Sequence, residues 1–475
     1  NNNLLTDDVV LDVWQFNSRA AVPISGRITD PVMKINPKSG LLGFAFSNGP
    51  LYFSMRGTVG ETEYSYMYWQ ASYDFMTSIA FAYDSAGYSY GSAAGGDINS
   101  NAADKFTFMT SHWGHGELTQ RGSYDGANAL RLESIGQVNS GVNDFNKQRI
   151  QSPSYATSRY ANNTNIYLAY FDDMNSEIRF RYGRLLNSSA TKTDFGDFID
   201  SEKAEPPQVY NKDRVSMIAG NATGRNPGEY VSLGVIPGAD EDGDIVVVVW
   251  YDATLNRLLY SYNTTPTTSR AGVTDGTGWS TPIEIFTDAG QYCQVAVDSD
   301  NGIHIAAYDN SAGDLLYAFL DTYTDSTPKT CVVDSYAIAG TNITIDVAKD
   351  ASGKQIPYIG YYALSSVKPK YAYLVDTSQK APAGVVNEAY TGAWEVTLLP
   401  TTSSVPQDRI NVGVWKTPEG VLKNSVEGTS TYTNTGTGYG ATNHGRCFGN
   451  GTSNGVLAYQ IKEGTKGYIE TAQKK

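Results

Sequence analysis

The stretch Ile245–Tyr262 reads IVVVVWYDATLNRLLYSY and has the pattern of a β-hairpin. An apolar run ends at Tyr251, a polar turn follows, and Tyr260 and Tyr262 then alternate with their neighbours. Runs rich in β-branched and aromatic residues on both sides of a polar turn predict two antiparallel strands. This hairpin is the local unit from which the fold can be predicted.

The spacing of three aromatic residues in this hairpin occurs four times in the chain. In each copy the second aromatic follows the first by nine positions and the third follows the second by two. The four triplets are Phe171, Phe180 and Tyr182; Tyr251, Tyr260 and Tyr262; Tyr308, Tyr317 and Phe319; Tyr362, Tyr371 and Tyr373. Repetition of this kind indicates a repeat architecture.

Three weaker copies bring the total to about seven. Two have shorter turns, at 41–53 and 79–90, and a third runs from Ile410 to Val426. Corresponding turn residues of the last four copies are 57, 54 and 53 positions apart, namely Asp252, Asp309, Ala363 and Lys416. This period leaves room for two more strands per unit, and four-stranded units of this length are typical of propeller blades. We therefore predict an all-β fold, a seven-bladed β-propeller of four-stranded antiparallel blades.

The repeats also suggest how the chain is divided. Residues 1–32 are expected to form an N-terminal closure segment, 33–462 the propeller and 463–475 a C-terminal tail. A propeller avoids an exposed sheet edge by pairing a strand from one terminus into a blade completed by the other, and 9–16 and 456–462 are the candidates. Long loop inserts are predicted at about 93–145, 185–212 and 428–455, where specific contacts usually lie on a repetitive scaffold.

Composition excludes several classes of function. The net charge of −14 over 475 residues opposes a phosphate-binding surface, so no nucleic-acid partner is expected. The sequence contains no run of 18 apolar residues, so no membrane-spanning helix is predicted. Three cysteines, Cys293, Cys331 and Cys447, are too few for a disulfide framework. The sequence opens on Asn1 without a leader pattern, which suggests a mature product or an excised segment, and its polar composition favours a secreted or cell-surface location.

Two stretches carry a resemblance to known proteins. Residues 296–319, AVDSDNGIHIAAYDNSAGDLLYAF, and 276–285, GTGWSTPIEI, resemble repeats of the sialidase-like propeller superfamily and, more loosely, of fucose-binding propeller lectins. The resemblance implies propeller blades and a carbohydrate ligand. Many sialidases carry the motif Ser-x-Asp-x-Gly-x-Thr-Trp, of which this chain has only the fragment Ser299-Asp300-Asn301-Gly302.

Four arginines are candidate ligand-binding residues. Each directly precedes an apolar residue where a first strand is predicted to begin: Arg27, Arg149, Arg214 and Arg409. Guanidinium groups that converge at the mouth of a propeller would bind a carboxylate through bidentate hydrogen bonds, and sialidases use an arginine triad in this way. Asp213 and Asp408 precede two of them, so salt bridges between blades are the alternative.

Two further sets of candidates follow from local pattern. A retaining sialidase uses a tyrosine nucleophile beside a glutamate, and the nearest such pairs are Glu229 with Tyr230 and Glu388 with Tyr390. Carboxylates at alternate positions around Gly243 could hold calcium, the one cofactor that the sequence suggests; a solvated acidic turn is the alternative. These calcium candidates are Asp240, Asp242 and Asp244.

The missing catalytic signature favours a non-catalytic module over an enzyme. We predict an extracellular or cell-surface binding or assembly module, with a glycan or protein ligand at the propeller mouth or on the inserts. A sialidase-like glycoside hydrolase is the alternative. A structural subunit of a surface layer or filament, assembled from copies of itself or with other surface proteins, is the third hypothesis. Fold alone does not decide among them.

Overall fold

We analysed a computed structural model of the chain, which divides into two compact units. One unit contains residues Asn1–Leu42 and Ala296–Lys475, and the other contains Gly43–Val295. The structure describes residues 14–21, 28–35, 37, 42–48, 52–55, 67–70, 75–87, 89–96, 106–113, 133–134, 150–161, 163–172, 176–186, 215–219, 227–267, 278–336, 338–350, 352–364, 368–374, 394–398, 406–414, 416–417, 419–421, 455–463 and 466–474.

Every regular element in these ranges is a β-strand, and the strands form four-stranded sheets that we number in chain order. Sheet I contains β2 (Ile28–Ile35), β3 (Leu42–Asn48), β4 (Tyr52–Met55) and β5 (Met67–Gln70). Sheet II contains β6 (Phe75–Tyr83), β7 (Ser89–Gly96), β8 (Phe106–Trp113) and β9 (Glu133–Ser134). Sheet III contains β10 (Ile150–Arg159), β11 (Asn163–Asp172), β12 (Glu177–Leu186) and β13 (Val215–Ala219).

The remaining sheets follow the same order of strands. Sheet IV contains β14 (Glu229–Ile236), β15 (Ile245–Asp252), β16 (Arg257–Asn263) and β17 (Ile283–Thr287). Sheet V contains β18 (Ala289–Val297), β19 (Ile303–Asp309), β20 (Leu315–Leu320) and β21 (Lys329–Asp334). Sheet VI contains β22 (Ala339–Lys349), β23 (Gln355–Ala363), β24 (Lys368–Leu374) and β25 (Trp394–Leu398). Sheet VII contains β26 (Pro406–Val414), β27 (Gly455–Glu463), β28 (Lys466–Lys474) and β1 (Trp14–Ala21).

The four hairpins predicted from the aromatic triplets are confirmed. They are the β11–β12, β15–β16, β19–β20 and β23–β24 pairs, all antiparallel. In β15–β16, Tyr251 lies opposite Leu258, and Val249 lies opposite Tyr260. Because side chains alternate between faces along a strand, Tyr251, Tyr260 and Tyr262 share one face of the hairpin. The nine-residue spacing is therefore the register of a hairpin that has aromatic residues on one face.

In sheets IV, V and VI a central strand is buried on both faces. Seven of the eight residues of β15 are buried, and so is every residue of β20 and β23. A continuous apolar run such as IVVVVW is what a strand covered on both sides requires. In the second unit, one cluster of buried side chains joins the triplet face of sheet III, including Phe171 and Phe180, to the opposite face of β15, including Val248 and Trp250.

An edge-to-face aromatic contact recurs at the outer strands. Phe180 packs against Trp279, with ring centroids 5.1 Å apart and an interplanar angle of 76°. In the other unit, Tyr317 packs against Trp394 at 5.0 Å and 67°. Both pairs join the middle aromatic of a triplet to a tryptophan of the next sheet: Trp394 is the first residue of β25, and Trp279 lies four residues before β17. Such pairs stabilise beyond the area they bury.

Side-chain hydroxyls connect the first strands of successive sheets. Ser154 Oγ accepts a hydrogen bond from the Leu233 amide at 3.0 Å, and Ser232 Oγ accepts one from the Val295 amide at 3.0 Å. In the other unit, Thr344 Oγ1 accepts one from the Val412 amide at 2.8 Å. Backbone amides that would otherwise lack a partner inside the protein are thus satisfied by a residue at the same place in each repeat.

The turns between first and second strands share an aspartate. In each, the carboxylate accepts the amide of the residue two positions later and the carbonyl accepts an amide from the next one, the pattern of an Asx turn. The aspartates are Asp84, Asp298 and Asp350. Asp252 and Asp309 lie in second turns, where the carboxylate accepts the amide two positions later and also the amide three positions later.

Three predictions from the sequence need correction. The hairpin at 79–90 joins the first and second strands of its sheet, because Asp84 forms a first turn. The predicted unit from Ile410 to Val426 is wrong, since β26 pairs with β27 rather than with the residues that follow it. Residues assigned to a C-terminal tail form β28, which pairs with both β1 and β27.

The hydroxyl connections generate a prediction. Ser232→Ala leaves the buried Val295 amide without its acceptor, and an unsatisfied buried donor costs about 1–3 kcal/mol. Urea unfolding should show that loss in the free energy of unfolding. Ser335→Ala, at an exposed serine, is the control and should change little. Equal stability of both variants would show that the hydroxyl is dispensable.

Candidate functional site

Exposed apolar side chains are concentrated at one end of the sheets. We call this the upper end: there the first and third strands begin and the second and fourth strands end. Among the side chains that the structure describes, the large hydrophobic residues that stay exposed are Leu255, Tyr336, Ile338 and Leu364. Leu255 and Leu364 lie in turns between second and third strands, and the other two lie in the connection from β21 to β22. All four therefore lie in upper-end loops.

A strained bulge occurs where first strands begin at this end. The residues two positions before Ser154, Ser232, Gln294 and Thr344 have positive φ angles of 47°, 54°, 55° and 53°, namely Ser152, Tyr230, Tyr292 and Asn342. Residues other than glycine seldom adopt this conformation, and for a bulky residue it is a genuine outlier. A bulge redirects a side chain, and such strain is enriched at functional sites.

In the second unit, this bulge brings two tyrosines together. The rings of Tyr230 and Tyr292 have centroids 4.6 Å apart, and Tyr230 lies 6.5 Å from Tyr251. Cys293 Sγ donates a hydrogen bond to the Tyr230 carbonyl at 2.6 Å, which holds the bulge in place. Tyr230 and Tyr292 are each half-buried, so part of each ring is accessible. We call these two residues the tyrosine pair.

The electrostatics of the tyrosine pair do not suit a nucleophile. Burial raises the pKa of Tyr230 well above its ordinary value, and the neighbouring Tyr292 and Glu229 raise it further. A nucleophilic tyrosine needs its phenolate stabilised, which would lower the pKa. Tyr230 is thus held as a neutral phenol that can donate and accept hydrogen bonds.

In the first unit, three upper-end loops are joined by backbone hydrogen bonds. The Ala339 amide donates to the Gly313 carbonyl at 2.8 Å, and the Leu364 amide donates to the Ile338 carbonyl at 2.9 Å. The exposed side chains of Tyr336, Ile338 and Leu364 lie on these loops, and we call them the apolar patch. Because backbone bonds hold the loops, the patch is fixed before any ligand arrives.

A buried ion pair lies beneath the patch. Asp334 Oδ2 accepts hydrogen bonds from Lys370 Nζ at 2.7 Å and from the Tyr361 hydroxyl at 2.6 Å. The same ammonium lies 5.4 Å from the centroid of the Tyr336 ring. Burial raises the pKa of Asp314, and the carboxylates of Asp309 and Asp334 raise it further. Among the described side chains at this place, the carboxylates of Asp309, Asp314 and Asp334 therefore outnumber the single ammonium of Lys370.

Of the four predicted arginines, one lies within the described residues. Arg27, Arg149 and Arg214 lie outside the described residues, and Arg409 is described only as part of the backbone of β26. Arg214 directly precedes β13, the fourth strand of sheet III, so the expectation that each arginine precedes a first strand is wrong there. Glu388 and Tyr390 also lie outside the described residues, whereas Glu229 and Tyr230 begin β14 at the upper end.

The three aspartates predicted to hold calcium do not converge. Asp240 and Asp242 are exposed and joined by a hydrogen bond from the Asp242 amide to Asp240 Oδ1 at 3.1 Å, whereas Asp244 is fully buried. Within the described residues, no group of three or more acidic, histidine or cysteine side chains is arranged to hold a metal ion. The acidic turn contributes Asp244 to sheet packing instead.

Asp244 binds five donors from its own turn and from sheet III. Its carboxylate accepts the Tyr167 hydroxyl at 2.6 Å, the Asn165 side-chain amide at 2.8 Å and the Gly238 amide at 2.9 Å. The hydroxyls of Ser158 and Tyr160 donate to it as well. Five donors satisfy the lone pairs of a buried carboxylate, which makes Asp244 a structural anchor between sheets III and IV.

Sequence reasoning missed the tyrosine pair as a unit and the apolar patch. The sequence makes Tyr230 a candidate because Glu229 precedes it. No sequence pattern around Tyr292 indicates a role, because Tyr230, the residue it contacts, is 62 positions away in the chain. The exposure of Tyr336 and Ile338 follows from a connection between sheets that no period in the sequence reveals.

Comparison with known proteins gives low overall similarity. The sequence matches no protein-family model and no curated protein sequence. Among solved structures, AofleA from Arthrobotrys oligospora has a TM-score of 0.41 and 9% identity, covering 83% of this chain and 94% of that one. The Aleuria aurantia lectin, solved with Fucα1-6GlcNAc, has a TM-score of 0.37 and 11% identity, with coverage of 80% and 97%. The Dos1 propeller has a TM-score of 0.41 and 8% identity, with coverage of 96% and 81%. At these values no binding residue of those proteins transfers to this chain.

No helix among the described residues is long and apolar enough to cross a membrane.

The buried carboxylate generates a prediction. Asp244→Asn removes the charge that five donors address and places an amide N–H group among them, which should cost about 2–4 kcal/mol in the free energy of unfolding. Asp242→Asn removes the same charge from an exposed position and should cost little. Thermal and urea unfolding measure both. Calcium at millimolar levels should leave the melting temperature unchanged; a calcium-dependent rise abolished by Asp244→Asn would contradict the structural role.

Proposed function

We propose that the chain is a non-catalytic glycan-binding module, built as a seven-bladed β-propeller, and that it is secreted or displayed at the cell surface. The ligand binds at the upper end, against the tyrosine pair. The closed ring is supported by sheet VII, in which β1, from near the start of the chain, pairs with β28. The extracellular address rests on composition alone.

The observation that carries this proposal is the tyrosine pair on its strained bulges. Two accessible rings at the starts of adjacent first strands offer an apolar face next to hydroxyl groups. A sugar ring has the complementary surface, because its C–H face is apolar and its rim bears hydroxyls. Tyrosine suits such ligands because it combines a large apolar area with a polar end.

The same residues argue against hydrolysis. A retaining hydrolase needs an activated nucleophile beside a second ionisable group that acts as acid and base. Burial raises the pKa of Tyr230, and it also raises the pKa of the neighbouring Cys293 thiol, so neither group is activated as a nucleophile. The chemistry available at this place is therefore recognition.

Retention of glycans, with release of sugar followed in the same samples, tests the proposal. The purified chain is incubated with sialylated, fucosylated and neutral glycans, and mass spectrometry measures both. We expect at least one glycan to be retained and no sugar to be released. Tyr230→Asn and Tyr292→Asn should each weaken retention about tenfold or more, because they remove a ring from the centre of the site.

Asparagine is chosen because it tolerates a positive φ and already occupies the equivalent position as Asn342. The bulge therefore keeps its backbone, and an unchanged melting temperature verifies this. Tyr336→Ala, in the apolar patch, is the matched control and should retain the glycan as the unaltered chain does. Released sugar would make the chain a hydrolase, and failure to retain any glycan would contradict the glycan ligand.

A further inference from the structure

The apolar patch is a second surface, separate from the tyrosine pair. Tyr336 is 61% exposed, Leu364 48% and Ile338 45%. Most large hydrophobic side chains of the described residues are buried, so three neighbours left in solvent indicate a contact that the isolated chain does not make. The patch uses none of the residues to which glycan binding was assigned.

The patch is rigid. Gly313 adopts a φ of +81° in the β19–β20 turn, and its Cα lies where an added Cβ would be 3.6 Å from Ile338 Cα. Together with the bonds from Ala339 to Gly313 and from Leu364 to Ile338, this fixes three loops against each other. A surface fixed in advance loses little conformational entropy when a partner binds.

The charge around the patch is negative. Lys370 is buried and already paired with Asp334, so its ammonium is not available to a ligand. Asp314 adds a partly exposed carboxylate on the adjoining turn, and its pKa is raised by burial and by the nearby carboxylates of Asp309 and Asp334. Asp309 itself is buried and accepts hydrogen bonds from Ser311 and Ala312. The chain as a whole carries a net charge of −14. A cationic group approaching the patch would be attracted by the Asp314 carboxylate and by the exposed ring of Tyr336, although Lys370 already lies 5.4 Å from the centroid of that ring.

We propose that the apolar patch of Tyr336, Ile338 and Leu364 docks a segment of a partner protein in which basic residues alternate with apolar ones. The apolar side chains of that segment pack on Ile338 and Leu364. A lysine or arginine side chain lies over Tyr336 and faces the carboxylate of Asp314. This surface goes beyond the glycan site, so that one molecule can hold a glycan and a protein at once.

The chemistry favours a protein segment over a sugar at this place. Ile338 and Leu364 are branched aliphatic side chains with no hydrogen-bonding group, whereas a sugar presents hydroxyls that such residues would leave unpaired. Alternating apolar and basic side chains match both the aliphatic surface and the negative rim. Exposed aromatic residues within an apolar patch are also the kind of residue that dominates the energy of protein interfaces.

A phage-displayed library of random twelve-residue peptides, selected on the immobilised full chain, tests the proposal. We expect enrichment of sequences in which lysine or arginine alternates with leucine, isoleucine, valine or aromatic residues. Fluorescence anisotropy of an enriched peptide should show binding about thirtyfold weaker with Tyr336→Ala. Asp314→Asn should weaken binding severalfold at low salt, and its effect should shrink as salt screens the charge.

Matched variants separate this site from general effects. Leu255→Ala removes another exposed upper-end residue, and Asp242→Asn removes another exposed charge; neither should alter peptide binding. The altered positions are exposed or at a turn, and unchanged melting temperatures confirm folding.

Three results of the peptide experiments would overturn the proposal. They are no enrichment over a bare support, enrichment of acidic or uncharged peptides, and enriched peptides that bind Tyr336→Ala as tightly as the unaltered chain. Loss of glycan retention in Tyr336→Ala would overturn it in favour of a sugar at the patch. Glycan retention lost only in the tyrosine-pair variants, together with peptide binding lost only in the patch variants, establishes two separate sites.

Discussion

The structure depends on one constraint: in sheets IV, V and VI a central strand is buried on both faces, so each of these sheets needs a neighbour on either side. β15 and β23 show this most clearly, with almost every residue buried. Aromatic triplets supply one face and aliphatic runs supply the other, as where Phe171 and Phe180 meet Val248 and Trp250. A single sheet of this kind could not remain exposed to water, and repetition is the way a chain satisfies the requirement.

Face-to-face packing determines where polar groups can lie. Those within the stack must be satisfied, as in the buried triad where His304 bonds Asp298 at 2.9 Å and Tyr317 at 2.7 Å. Burial raises the pKa of Asp298, but hydrogen bonds from His304 and two backbone amides outweigh that effect and the pKa is lowered. Contact with a ligand is therefore left to the ends of the sheets, where the strands turn.

The upper end combines two kinds of surface that follow from the same connections. Where a first strand begins, a bulge redirects Tyr230 and Tyr292 away from the ladder. Where a fourth strand ends, the connection to the next sheet exposes Tyr336 and Ile338. The strained backbone at the tyrosine pair and the exposed side chains of the apolar patch each carry a cost in the free energy of folding. A ligand at each surface, as proposed, would account for both.

Much of the fold could be predicted from the sequence, because a hairpin's register is a local property. The spacing of Tyr251, Tyr260 and Tyr262 encodes a pairing of adjacent strands, and the structure has that pairing. Pairing across an insert is different: β26 joins β27 after a long intervening segment, and nothing near Ile410 specifies it.

The candidate site was less predictable than the fold. A positive φ at Tyr230 has no sequence signature, since tyrosine is not a residue that favours it. The role of the acidic turn at 240–244 also depends on residues distant in the sequence. Carboxylates at alternate positions are a calcium-binding pattern when only the turn is considered. The Asp244 carboxylate instead accepts hydrogen bonds from Tyr167 and Asn165, which lie more than seventy positions earlier in the chain.

The central proposal is that the same sheet-on-sheet packing, repeated along the chain, forms a closed ring of seven blades. An electron-density map that resolves side chains tests this most directly. It should show seven four-stranded sheets around a common axis, with β1 completing the sheet of β26, β27 and β28. An open row of sheets, or a ring with another number of blades, would contradict the claim.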